Sequence, residues 1–184
     1  AHASSFGCHP LFGDSIQSPV GQIVALTDFN RTNPQHLVFE QILIEAGLII
    51  NHLSSVEHDR YMSVVQALTH FTLLSFVGTI SKDGLHPRDL LQLQTPNFRF
   101  LYAFASRILR LSPATSGSIQ FTKDAKEIRN KFLEYALSLN QRFSDAKSIG
   151  QCTSLVESIR ANFTEPEIVE GVEVAAVAVD SLHR

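Results

Sequence analysis

Three short segments of the chain combine side chains that can move a proton or hold an anion. The first is Cys8-His9-Pro10-Leu11-Phe12-Gly13. The proline ring excludes the helical region for the residue before it, so His9 takes an extended backbone, and Gly13 then permits a sharp turn. The local reading is an imidazole held on a rigid loop, suited to proton transfer or hydrogen bonding near neutral pH. An ordinary loop histidine would show the same local sequence.

The second segment runs from Glu57-His58-Asp59-Arg60 to Gln66-Ala67-Leu68-Thr69-His70-Phe71. Gln66 and His70 are four apart and share one face of a helix. On a stripe otherwise lined by Met62 and Leu73 they need partners when buried. A ligand is one such partner; the backbone or water is another. Glu57, His58 and Asp59 are consecutive and point to different sides of a helix, so no metal site is expected of them. The third segment is Gln94-Thr95-Pro96-Asn97-Phe98-Arg99-Phe100. Arg99 falls in the first turn of an aromatic-rich helix with no acidic residue within a turn of it. Its guanidinium either reaches water along its apolar stem or awaits an anionic ligand.

The elements that must position these groups fall into two regimes. Over the first third, a β-branched run at 22–27 predicts a strand. Thr32-Asn33-Pro34 offers a helix cap followed by proline in the first turn. A helix is predicted over 36–46, ended by Gly47, and a second strand at 48–51. Strand, helix, strand with short loops is a βαβ unit of a parallel sheet. Two strands alone are marginal in water, so the unit is expected to pack on the rest of the chain or to have lost strands upstream. After Ser54-Ser55, which with Val56-Glu57 resembles a capping box, the strand signals stop. One long helix is predicted over 57–81, apolar nearly all round. Further helices follow at 87–94, 96–111, 123–144, 145–163 and 166–182. Ser112-Pro113 and Ser116-Gly117 read as punctuation between helices.

Bulk properties narrow the function classes. Hydrophobic residues make up 44% of the 184 and charged residues 18%, a surplus of apolar side chains that predicts a partner surface. The net charge of −3 and scattered Lys and Arg give no electrostatic case for nucleic acid. No run of about 18 uninterrupted apolar residues is present, and neither a membrane partner nor a signal peptide is expected. Cys8 and Cys152 stand in no metal or redox spacing and read as free thiols in a reducing compartment. The chain opens on Ala1 without an initiator Met, like the middle of a longer chain or a processed end.

In order and spacing, His9-Pro10-x-Phe12-Gly13, Glu57-His58-Asp59 leading into Gln66-Ala67-Leu68-Thr69-His70-Phe71, and Thr95-Pro96-x-Phe98-Arg99 resemble the prephenate/arogenate dehydrogenase family. Ile119-Gln120 also fits. The resemblance covers about residue 7 to the mid-140s and fades in the last two helices. It implies a mainly α fold, a helical dimerisation bundle preceded by a small α/β remnant of a Rossmann-type domain. The remnant would span 1–53, and the all-helical substrate-binding and dimerisation domain 54–184.

The resemblance further implies an NAD- or NADP-dependent oxidative decarboxylation in tyrosine biosynthesis, in a cytoplasmic enzyme or a plastid one in a plant-like source. The partners implied are a second copy of the chain, prephenate or arogenate as substrate, and tyrosine as an effector. Hydride leaves the ring carbon bearing the 4-hydroxyl, and loss of the ring carboxylate as CO2 yields an aromatic product. By the same resemblance His9 bonds the 4-hydroxyl and takes its proton, Arg99 pairs with the ring carboxylate, and His70 and Gln66 line the substrate or effector pocket.

Leu11 stands where the family commonly has Met, and Asp14 where it commonly has Pro. No Gly-x-Gly-x-x-Gly occurs among the nine glycines, so the phosphate-binding turn is missing. The chain is therefore expected to be a fragment that binds no cofactor tightly by itself. The alternative is a stand-alone helical module that binds a cyclohexadienyl or aromatic amino acid as a regulator or redox-neutral enzyme. A pure dimerisation scaffold is a third reading.

Overall fold

Val24, Ala25 and Leu26 are wholly shielded from solvent, as expected of the central strand of a sheet. A computed structural model of the chain describes residues 5–13 and 16–181. Residues 1–4, Asp14, Ser15 and 182–184, where the last predicted helix was to end, lie outside them. The chain divides into two compact units, Ala1–Thr69 and His70–Arg184.

The first unit holds a three-stranded sheet of order β1-β2-β3. Strand β2 (Ile23–Thr27) leads through helix α1 (Pro34–Glu45) to a parallel strand β3 (Ile49–Leu53). This is the predicted βαβ unit. Asn33 caps α1, accepting from the Gln35 amide, with Pro34 in the first turn. The third strand was not foreseen: β1 (Gly7–Pro10) pairs antiparallel with β2 and places His9 opposite Ala25. His9 therefore sits on a strand, not on a loop. Its extended backbone is as the following proline demands, and Pro10 is tolerated because β1 is an edge. Under the sheet, the buried His36 ring lies against Phe6 and Phe29 and accepts from the Asn30 amide at 3.1 Å.

Ser54 begins the long helix with a complete capping box, its hydroxyl taking the Glu57 amide while the Glu57 carboxylate takes the Ser54 amide. The predicted helix is present over Ser55–Lys82 but is not uniform. Helix α2 (Ser55–Met62) passes into a π-helical segment (Ser63–Leu68) before α3 (Thr69–Lys82). The Ser63 hydroxyl donates to the Arg60 carbonyl at 2.7 Å and the Thr69 hydroxyl to that of Val64 at 3.4 Å. Such bonds compete with the α-helical ladder and accompany the wider turn. The unit boundary falls just past this segment, so α2 belongs with the sheet.

The second unit is all helical: α3, α4 (Pro87–Gln92), α5 (Pro96–Arg110), α6 (Pro113–Phe121), α7 (Lys123–Asp145), α8 (Ile149–Arg160) and α9 (Glu165–Ser181). Helix α6 corrects the reading of Ser112-Pro113 as punctuation. Ser112 is an N-cap taking the Thr115 amide at 3.0 Å, with Pro113 in the first turn and Gly117 carried inside the helix. Leu73, Ala105 and Ile108 form a small core, with Leu74 and Val77 against it. Arg129 ties α7 to the end of α6 through the Gln120 carbonyl and side chain at 2.8 and 2.9 Å, and lies over the Phe71 ring. By length and composition alone, Ser55–Lys82 is also long and apolar enough to cross a membrane, against the sequence expectation; 17% of its most apolar window is buried.

Candidate functional site

Strand β1 and helix α2 bring His9 and His58 together although 49 residues separate them. The pleat of β1 turns His9 and its neighbour Cys8 to opposite faces. His9 Nδ1 lies 2.8 Å from His58 Nε2, the rings meeting edge to face at 5.1 Å. On its other side the His58 Nδ1 lies 2.9 Å from the Asp59 carboxylate. His9 is half-buried, and His58 is mostly covered with 18% of its side chain exposed, whereas Asp59 is open to solvent at 67%. Burial first, and then the charge of His58, hold the His9 imidazole below its ordinary pKa. A neutral imidazole whose Nδ1 is already bonded presents Nε2 as its one free nitrogen, a proton acceptor when Nδ1 is the donor of that bond.

Sequence reasoning singled out His9 and missed its partners. His58 and Asp59 enter the sequence reading as part of a family motif and as rejected metal ligands, on the ground that neighbours on a helix diverge, with no site role given to either. That argument holds for one shared ion but not for a histidine using two nitrogens in two directions. No local signal joins His58 to His9, because the β1 register and the placement of α2 on the sheet decide it.

The remaining candidates are disposed as follows. Gln66 lies half-buried in the π-helical segment of the first unit. In the second unit, His70 is half-buried, its Nδ1 shielded from solvent without a hydrogen-bond partner among the described residues, and burial lowers its pKa. Arg99 is exposed one turn into α5, whose N-cap Thr95 takes the Phe98 amide at 3.3 Å. Its guanidinium has no hydrogen bond or ion pair among the described residues. Phe98 beside it packs on Phe76 and stacks on Tyr102, with centroids at 5.8 and 6.2 Å.

The site a parallel sheet offers a dinucleotide is the turn after a strand, at the start of a helix. Here that turn, between β2 and α1, has no glycine. Its Asn30 amide goes to His36, its Thr32 amide and hydroxyl go to the Asn30 side chain, and Pro34 lacks an N–H. The residues of this turn do not fit a pyrophosphate.

Residues 54–161 match the family described as prephenate dehydrogenase, dimerization domain. The chain belongs to this family. It is 28% identical over 119 residues to the T-protein of Enterobacter agglomerans, covering 65% of this chain and 32% of that protein. It is 27% identical over 137 residues to a Methanocaldococcus jannaschii protein named "Probable arogenate/prephenate dehydrogenase", covering 72% of this chain and 30% of the other. The chain thus spans about a third of the length of these curated relatives. Among solved structures, the fold matches prephenate dehydrogenase from A. aeolicus, in complex with hydroxyphenyl propionate and NAD+. That match has a TM-score of 0.60 at 19% identity and covers 92% of this chain and 58% of that one. A mainly helical chain with a small α/β portion in front is the fold these relatives share with it.

Proposed function

We propose that this chain supplies the substrate-binding and dimer-forming part of an NAD(P)-dependent prephenate or arogenate dehydrogenase. The observation that carries the proposal is the half-buried, neutral-leaning His9 with Nδ1 bonded and Nε2 left open. In the complete enzyme a nicotinamide would accept the hydride leaving the hydroxyl-bearing ring carbon. What this chain contributes is the proton's acceptor and the substrate's anchor. As the substrate O–H bond breaks, its proton forms a bond to His9 Nε2 and the electron pair stays on the oxygen that becomes the ketone or phenol. Arg99, exposed and unpaired, offers the flat two-pronged contact a carboxylate prefers. Gln66 and His70 would serve as substrate- or effector-binding side chains, the His70 Nδ1, without a hydrogen-bond partner among the described residues, being a nitrogen that a ligand could satisfy.

The second copy of the chain is part of the same proposal. The described helices leave Phe121, Leu137, Ile149 and Val177 between 69% and 91% exposed. An apolar excess of this kind is what an obligate dimer buries. It also accounts for the apolar helix Ser55–Lys82 without a membrane, since residues 54–161 match a dimerization domain.

The test is a split in kinetics, measured in the complete enzyme. His9→Asn should lower kcat by roughly 10²–10⁴-fold with KM little changed, as for loss of a general base. Arg99→Ala should instead raise KM, weakening binding by about 2–5 kcal/mol, with Arg99→Lys recovering only part. If Arg99→Ala leaves affinity intact and lowers only thermal stability, the anchor assignment fails. If His9→Asn leaves kcat intact, the base assignment fails.

A further inference from the structure

The three-residue chain His9–His58–Asp59 constrains where the protons sit when both imidazoles are neutral. An ionised carboxylate only accepts, so His58 Nδ1 must be the donor across the 2.9 Å to Asp59. A neutral His58, with its one ring proton there, has a lone pair on Nε2. His9 Nδ1, 2.8 Å away, must then donate to that lone pair. The neutral His9 is left with its proton on Nδ1 and a bare Nε2.

We propose that His58 and Asp59 are positioning residues for the proton transfer, locking His9 in the Nδ1–H tautomer so that only Nε2 can accept. This rests on the reading of His9 as the base. A free imidazole side chain favours the opposite tautomer, with the proton on Nε2, which could donate to a substrate hydroxyl but not take its proton. The hydrogen-bonded chain therefore selects the competent form before substrate arrives.

Two features of the site agree with this assignment. The contribution of Asp59 is directional, because a carboxylate two-thirds exposed is well screened as a charge. His58, in contrast, is mostly covered and held in place, so its orientation survives in the absence of ligand. If His58 instead carried both ring protons, its Nε2 would donate, His9 would hold its own proton on Nε2, and no acceptor would face the substrate. Burial of the His9 ring favours its neutral form. After transfer His9 carries both protons, and its Nδ1–H still has the His58 lone pair to donate to.

The experiment needs neither substrate nor cofactor. In the ¹⁵N-labelled chain above pH 7.5, two-bond ¹H–¹⁵N correlation spectra distinguish a protonated from a bare ring nitrogen, and His9→Gln assigns the His9 signals by their loss. The expected result is a protonated Nδ1 and a bare Nε2 for His9. Asp59→Ala and His58→Phe should each convert this single form into a mixture dominated by Nε2–H, and His58→Gln, whose amide oxygen can accept, should retain it. A wild-type His9 with its proton on Nε2 overturns the proposal, as does a tautomer unchanged in both Asp59→Ala and His58→Phe. The other histidine signals report whether each variant is folded, and the wild-type spectrum decides the matter even if a variant is not. Because the readout is a tautomer, it separates from the base assignment. A locked His9 with turnover unaffected by His9→Asn would sink the functional reading alone.

Discussion

The two units of this chain spend their side chains differently. In Ala1–Thr69 the polar groups are joined into local networks: His9 to His58 to Asp59, His36 to the Asn30 amide, and His52 to Glu40 at 2.6 Å. The central strand is sealed, with Leu26 and Val24 fully covered. In His70–Arg184 the polar candidates have no partner among the described residues, Arg99 being exposed and His70 having a shielded bare nitrogen. There the core is three residues with two packed against it, while large apolar side chains line the outside of α6 to α9. Large apolar side chains stay open in both units, Val38 and Val56 in the first at 62% and 78%, Phe121 and Ile149 in the second at 91% and 87%.

The largest expected effect falls on the apolar surface. Leu137→Asp with Val177→Asp, at side chains 69% and 74% exposed, should convert a stable dimer into monomers in sedimentation at micromolar concentration. The melting temperature of the wild-type chain should rise with protein concentration, since association stabilises only the folded form. A wild-type chain that sediments as a monomer would break the comparison, because the second unit would then be complete with its surface bare.

A smaller effect distinguishes the units by pH. His9 and His70 both have folded pKa values below the ordinary value near 6.5, mainly because burial disfavours the imidazolium. The unfolded chain therefore takes up protons first as pH falls. Their stabilising contribution is complete above about pH 6.5 and is lost as pH drops through the folded values. Denaturant midpoints measured from pH 8 to pH 5 should fall accordingly. His9→Asn should flatten the part of that fall belonging to the sheet unit, and His70→Gln the part belonging to the helical one.

The smallest effect compares two caps. Asn33 takes the Gln35 amide at the start of α1, and Thr95 takes the Phe98 amide at the start of α5. Replacing either by Ala should lower stability by about 1 kcal/mol. Only Thr95→Ala should also raise the KM of the complete enzyme, because Arg99 sits one turn into the helix it starts. Equal effects of both caps on KM would show that the two units do not divide the labour as described.

Much of this architecture is legible from residues alone because its causes are local. Asn33-Pro34, Ser54 with Glu57, and Thr95-Pro96 announce helix starts through side chains that bond the next few amides. Strands β2 and β3 show in their β-branched runs, and the extended backbone of His9 follows from the proline after it. The same kind of signal misled at Ser112-Pro113, where a cap and first-turn proline read as a break until α6 showed the helix they begin. What the sequence could not carry is anything set by distant segments meeting. The edge position of β1, the π-helical turn at Ser63–Leu68 and the joining of α2 to the sheet depend on contacts between residues far apart in the chain. So does the bond between His9 and His58, which fixes the direction in which the His9 ring faces. By itself the sequence determined which side chains could do chemistry and which helices would carry them. Tertiary structure alone decided which nitrogen of His9 is free, because a hydrogen bond across 49 residues has no trace in local pattern.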